Sequence, residues 1–101
     1  MADVAMQGRR LPDGQFPELP GEYSKMAYQD GVTTWIVCAP DGGPKFQLAN
    51  ATSPDPAGRV HEVEEHEDGT ITVEPKPHNS NSILSPRGWH GWIRHGVWEP
   101  C

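Results

Sequence analysis

A proline or a glycine interrupts almost every stretch of this sequence long enough to make a stable helix, and that limits its fold more than any other feature. Eleven prolines and eleven glycines stand in 101 residues. Proline removes a helical N–H and clashes with the preceding turn, while glycine gives up backbone entropy, so helix content must be low. Only 35% of the residues are hydrophobic, well below an ordinary globular domain, so the core is small and the chain makes one domain at most. The expected class is mainly β: a small antiparallel, hairpin-built sheet or sandwich carrying a Pro/Gly-rich extended N-terminal arm.

The apolar weight is concentrated near the far end, where Trp89, Trp92 and Trp98 share the run from Trp89 to Trp98. Indole rings bury large areas, so the core is expected there. Alternation puts Trp89 and Ile93 on one face, with His90, Trp92 and Arg94 on the other. Trp89–Arg94 and Val97–Glu99 form a hairpin about His95-Gly96. A second hairpin joins Val60–His66 to Thr70–Val73 through Glu67-Asp68-Gly69, since Asp-Gly supplies the positive φ that a tight turn needs. Val63 with Ile71 or Val73 would share its buried face, and the adjacent Glu64 and Glu65 leave both faces partly wet.

The segment from Val32 to Cys38, rich in β-branched and aromatic residues, reads as the best strand of the first half. Pro40–Pro44 turns the chain, Lys45–Leu48 pairs back, and Ser53–Gly58 is loop. Trp35, Trp89, Ile93 and Trp98 form the expected core with Ile36 or Val37. Residues 1–31 read as an extended arm with a short helical turn around Ser24–Tyr28. In it, Leu11, Phe16, Leu19 and Tyr23 anchor either onto the body, residues 32–101, or onto a neighbouring subunit, which would make a homo-oligomer. Pro75–Ser82 is polar loop, Ile83-Leu84 an apolar anchor, and Pro86-Arg87-Gly88 a turn.

The formal charge is −6, and residues 60–74 hold six carboxylates, Glu62 and Glu64 among them, with no lysine or arginine. Phosphate backbones are repelled there, and the basic residues are scattered apart from Arg9-Arg10, which argues against nucleic-acid binding. No segment has the length of a membrane span or the apolar stretch of a secretory signal. The expected setting is a cytoplasm, with Cys38 and Cys101 as free thiols.

Chemistry-bearing patterns are sparse. His90, His95 and Cys101, or His61 and His66, are the candidate zinc ligands, but tightly spaced ligand pairs are missing and no metal is expected. Serines at 80, 82 and 85 lack a nucleophile elbow, and the glycine pairs lack the strand-loop-helix setting of a phosphate cradle, so neither catalysis nor a cofactor is expected. Trp92, His90 and Arg94 are interface-type residues. With Glu62 and Glu64 they make the expected protein-binding surface. The alternative is that Trp92 packs beneath the N-terminal arm.

The run His66–Val73, then Ser82-Ile83-Leu84, Trp89-His90-Gly91 and Gly96-Val97-Trp98, resembles a pattern in small uncharacterised proteins of actinobacterial phages and prophages. It covers about the last 40 residues. A looser likeness is to a wider domain family with a Cys-rich turn after an early strand. From that pattern this chain departs, keeping only Cys38 in Cys38–Gly43. The resemblance implies a phage origin and no assigned activity. The expected role is a non-enzymatic accessory protein that binds a host or defence protein, found in the host cytoplasm or the virion. The alternatives are a virion component, such as a capsid decoration or minor capsid protein, and a small zinc-binding domain.

Overall fold

The computed structural model describes residues 4–27, 33–48, 60–75 and 82–101. Among them ten strands and no helix are present. In chain order these are β1 Met6–Gln7, β2 Arg9–Arg10, β3 Glu22–Ala27, β4 Thr33–Val37, β5 Phe46–Gln47, β6 Glu64–Glu65, β7 Ile71–Thr72, β8 Ile83–Leu84, β9 His90–Arg94 and β10 Val97–Pro100. They make one sheet in the order β1-β10-β9-β8, a second in the order β2-β3-β4-β5, and the pair β6-β7. All pairings are antiparallel except β2 with β3. The protein is therefore a small all-β fold, as the proline and glycine spacing requires.

The pair β6-β7 extends the first sheet. Val73 and Ile93 exchange two backbone hydrogen bonds, 2.7 and 2.9 Å, and the Gly96 N–H donates to Ile71 O at 2.9 Å. β1 runs into β2 through Gly8, passing from an edge of one large sheet to an edge of the other, and the Gly8 N–H donates to Gly96 O at 2.7 Å. A Cβ at Gly8 would stand 2.5 Å from that same oxygen. Only glycine fits so close a passage of backbone on backbone.

The core lies between the sheets and gathers Tyr23, Trp35, Val37, Ala39, Leu48, Ile71, Val73, Ile83, Trp89, Ile93 and Trp98. All four tryptophan and isoleucine residues expected there are present, with Val37 as their β4 partner. Ile36 is buried on the opposite face of β4. Trp89 meets Trp98 edge-on with ring centroids 5.3 Å apart, and the Trp98 indole N–H donates to Gly21 O at 2.9 Å. An aromatic body in the core and a satisfied polar tip are what let an indole be fully buried.

The N-terminal stretch differs from a draped arm. Residues 24–27, read as a helical turn, are part of β3, whose six residues pair with β4 from Tyr23↔Val37 to Ala27↔Thr33. The 31/32 boundary thus falls in the connection between two paired strands, in residues 28–32 that lie outside those described. Of the four expected anchors, Leu11 and Tyr23 are buried, while Phe16 and Leu19 are exposed. Both faces of β3 are covered: Tyr23 faces the core, and Glu22 and Ser24 lie under the 15–19 loop. Ser24 Oγ donates to Gln15 O, and the Glu22 carboxylate accepts the N–H groups of Glu18 and Leu19 at 3.0 and 2.9 Å. Those two bonds, aided by Arg9, hold the Glu22 carboxyl below its ordinary value.

The turn chemistry is as expected, with one refinement. The Asp68-Gly69 hairpin closes through a three-residue loop in which the Gly69 N–H donates to His66 O at 2.9 Å and the His66 N–H to Thr70 O at 2.8 Å, Gly69 taking φ +87°. The turn Ser85–Trp89 repeats the same bonds, with Gly88 at φ +99°. His95 and Gly96 both have positive φ, +46° and +80°, as a two-residue loop between twisted strands demands. Pairing in the acidic hairpin stops at Glu64, so residues 60–63 are not strand. The chain turns at 40–41, within Pro40–Pro44, and of Lys45–Leu48 only Phe46–Gln47 is strand; Ser53–Gly58 lies outside the described residues.

Candidate functional site

Parity along β9 separates two surfaces. Trp89, Gly91 and Ile93 are buried, whereas His90 and Arg94 are exposed and Trp92 is half-buried. Register then fixes their neighbours. On β10, Glu99 sits opposite Trp92 and Val97 opposite Arg94. On β8, Leu84 sits opposite His90. The Val73↔Ile93 bridge brings Thr72 and Glu74 beside the same outward face, and Glu64, opposite Thr72, continues it onto β6.

Four of the five residues expected in a binding surface, His90, Trp92, Arg94 and Glu64, thus share one side of the extended sheet. Glu62 is exposed in the segment that precedes β6. Leu84, Glu74, Val97 and Glu99 join them and were not legible as such. Odd-even alternation places each on a face of its own strand, but only the pairing between strands brings the faces together.

At the centre, the Arg94 guanidinium lies 4.9 Å from the Trp92 ring centroid. Its Nε donates to Glu74 at 2.7 Å and Nη1 to Glu99 at 3.3 Å, which raises the Arg94 pKa above its ordinary value, the Glu74 bond first. The Trp92 Nε1 atom is buried with no hydrogen-bond partner among the described residues. The Trp98 indole, in the core, has one. A buried N–H without a partner forfeits a hydrogen bond it could make, and it is uncommon enough in a folded protein to mark a position of interest.

The acidic run does not act as one surface. Glu65 turns to the second sheet, where Lys25 Nζ and Arg10 Nη1 donate to it at 2.7 and 3.1 Å and hold its carboxyl low. Arg10 also donates to Gly69 O at 2.6 Å and Asp13 at 2.8 Å, and its guanidinium lies 4.8 Å from the Trp35 centroid. Glu65 therefore fastens the hairpin to the body, whereas Glu64 stays exposed.

Groups able to do chemistry are dispersed. Ser82 Oγ and His90 Nε2 are hydrogen bonded, but among the described residues no carboxylate orients His90, and a nucleophile needs that third group. His66 and His95 stack with centroids 3.9 Å apart and planes 12° apart. Thr72 Oγ1 bonds His66 Nε2 at 2.6 Å and accepts the His95 N–H at 3.0 Å. Flat stacking keeps the two rings' lone pairs in parallel planes instead of aiming them at one ion. Among the described residues no group of three histidine, cysteine or acidic side chains is placed to hold a metal. Cys38 is buried, and burial with the nearby Glu22 and Asp41 charges raises its thiol pKa, which keeps it unreactive. An open hollow of about 550 Å³ lies between Leu11, Phe16, Leu19 and Arg9, lined also by Glu18 and Glu22.

No protein-family model matches the chain, and comparison with curated proteins and with solved structures finds no match.

Proposed function

We propose that this is a non-enzymatic phage accessory protein that acts by binding another protein, a host or defence component, through the sheet face centred on Trp92. The observation that carries the reading is the Trp92 indole: half-buried, capped by Arg94 at 4.9 Å, and with no partner for its Nε1 among the described residues. Tryptophan and arginine dominate interface energetics, and here they sit together on an outward face beside His90 and the exposed Leu84. The phage origin is supported by the likeness of His66–Val73, Ser82–Leu84, Trp89–Gly91 and Gly96–Trp98 to actinobacterial phage proteins.

The test is capture from host lysate with the wild-type chain and with Trp92→Ala side by side. A protein retained by the first and released by the second supports the reading. Equal retention by both moves the contact away from Trp92. Mass spectrometry of purified virions reports separately on location: stoichiometric presence would make the partner a capsid protein.

A further inference from the structure

Among the described residues the face around Trp92 is electrically one-sided. Glu64, Glu74 and Glu99 border it, and among the described residues Arg94 is its one cation. That cation is already committed, taking Glu74 through Oε2 and Glu99 through Oε1. Each carboxylate meets it with a single oxygen, so the other keeps its capacity to accept. The remaining described cations are engaged elsewhere. Arg10 and Lys25 lie against Glu65, Arg9 beside Glu22, Lys45 over Phe16, and the Arg87 stem near Gly43. Between Glu74 and Glu99 lies the Trp92 ring beside Arg94, and the apolar Leu84 and Val97 extend the face along the neighbouring strands.

An apolar floor with a carboxylate border is complementary to side chains that have a hydrocarbon stem and a cationic head. We infer that the occupant of this face is an extended, lysine- or arginine-bearing segment of the protein partner, which rests on the Trp92 face being the binding surface. The stems cover Leu84 and Trp92, and the heads reach Glu64, Glu74 and Glu99. An acidic segment is repelled by the same border.

The experiment is nitrogen–proton NMR of the intact chain, in which the Trp92 indole signal is assigned by its loss in Trp92→Phe. Two probes are titrated: a peptide alternating lysine, arginine and serine, and its glutamate–serine counterpart. The cationic peptide is expected to move the Trp92 indole signal, with affinity falling about tenfold between about 20 and about 200 mM salt and about threefold in Glu64→Gln. Shifts confined to other residues, or none with the cationic peptide, overturn the inference. An acidic peptide that moves Trp92 equally well overturns the cationic partner but leaves the Trp92 surface standing. Failure of that surface itself shows in the lysate capture, where Trp92→Ala would then change nothing.

Discussion

The imidazole of His66 lies flat on that of His95, joining the turn region of the acidic hairpin to the turn of the aromatic one, with 3.9 Å between centroids. His95 does this from a left-handed backbone position, φ +46°, where asparagine is tolerated and β-branched residues are strained. His95→Asn should keep the turn and lose the stack, a change within about 1 kcal/mol, whereas His95→Val should cost about 1–3 kcal/mol. Urea denaturation decides, and equal stability of the two variants would show that the turn is not strained. Because the stack does not converge on an ion, a strong chelator should leave the melting midpoint unmoved; a large drop would revive a metal site.

Trp98→Ala and Trp89→Ala should each cost about 3–5 kcal/mol, since both rings are buried in the core and touch each other edge-on. In a domain this small that is enough to unfold most of the population. Trp92→Ala should cost only about 1 kcal/mol. Calorimetry of the three variants tests the split, and a Trp92 variant as unstable as the others would make Trp92 a core residue.

Acid should loosen the N-terminal loop and the acidic hairpin. Glu22, held by two backbone N–H groups, and Glu65, held by Lys25 and then Arg10, both have carboxyls below the ordinary 4.5, and Asp68, bonded to Thr70, lies below 3.8. A lowered folded value means that the stabilisation is fully present above the ordinary one and is lost as the pH falls through the folded one. The thermal midpoint should therefore hold down to the mid-fours and fall below. Glu22→Gln should lower the midpoint at neutral pH and flatten the acid fall, and an unchanged acid slope would remove Glu22 from the account.

Gly8→Ala should cost at least about 2 kcal/mol, because the new methyl meets backbone oxygen instead of a side chain that can step aside. The same change at Gly14, where a Cβ meets nothing within 4 Å but φ is +84°, isolates conformational strain from crowding. Gly8→Ala should be the worse of the two.

Once a partner is in hand, reversing Glu62 and Glu64 to lysine should slow association about tenfold and flatten its salt dependence, while Trp92→Ala should mainly speed dissociation. Surface plasmon resonance at two salt concentrations separates the rates. If neither change matters, the hollow edged by Phe16 and Leu19 is the next surface to test.

What the sequence made legible follows the reach of its signals. Asp68-Gly69 and His95-Gly96 specify turns between neighbours in the chain, so both hairpins could be read, as could the two faces of β9. Prolines and glycines surround Tyr23 and suggest an arm, yet the interval from Glu22 to Ala27 holds none, and β3 forms there with both faces covered. Glu64 and Glu65 look alike in sequence. Only the approach of Arg10 and Lys25 from the other sheet tells them apart, and no local pattern encodes that approach. Glu74 joined Trp92 for the same reason, through the distant Val73↔Ile93 bridge, whereas Glu99 and Leu84 came through the local turns that join β10 and β8 to β9.

Met6 pairs with Trp98, and the Trp98 indole reaches back to Gly21. The strand that carries the central tryptophan is thus held on one side by its hairpin neighbour and on the other by a strand from the opposite end of the described chain. Bringing such distant points together has an entropy cost that local hairpins do not share. Folding should therefore proceed over milliseconds to seconds, with the two hairpins formed early and the Met6–Trp98 closure last. During synthesis, the first sheet cannot be completed until its final strand is free to move, and Tyr23, Trp35 and Val37 wait for it with their core faces uncovered.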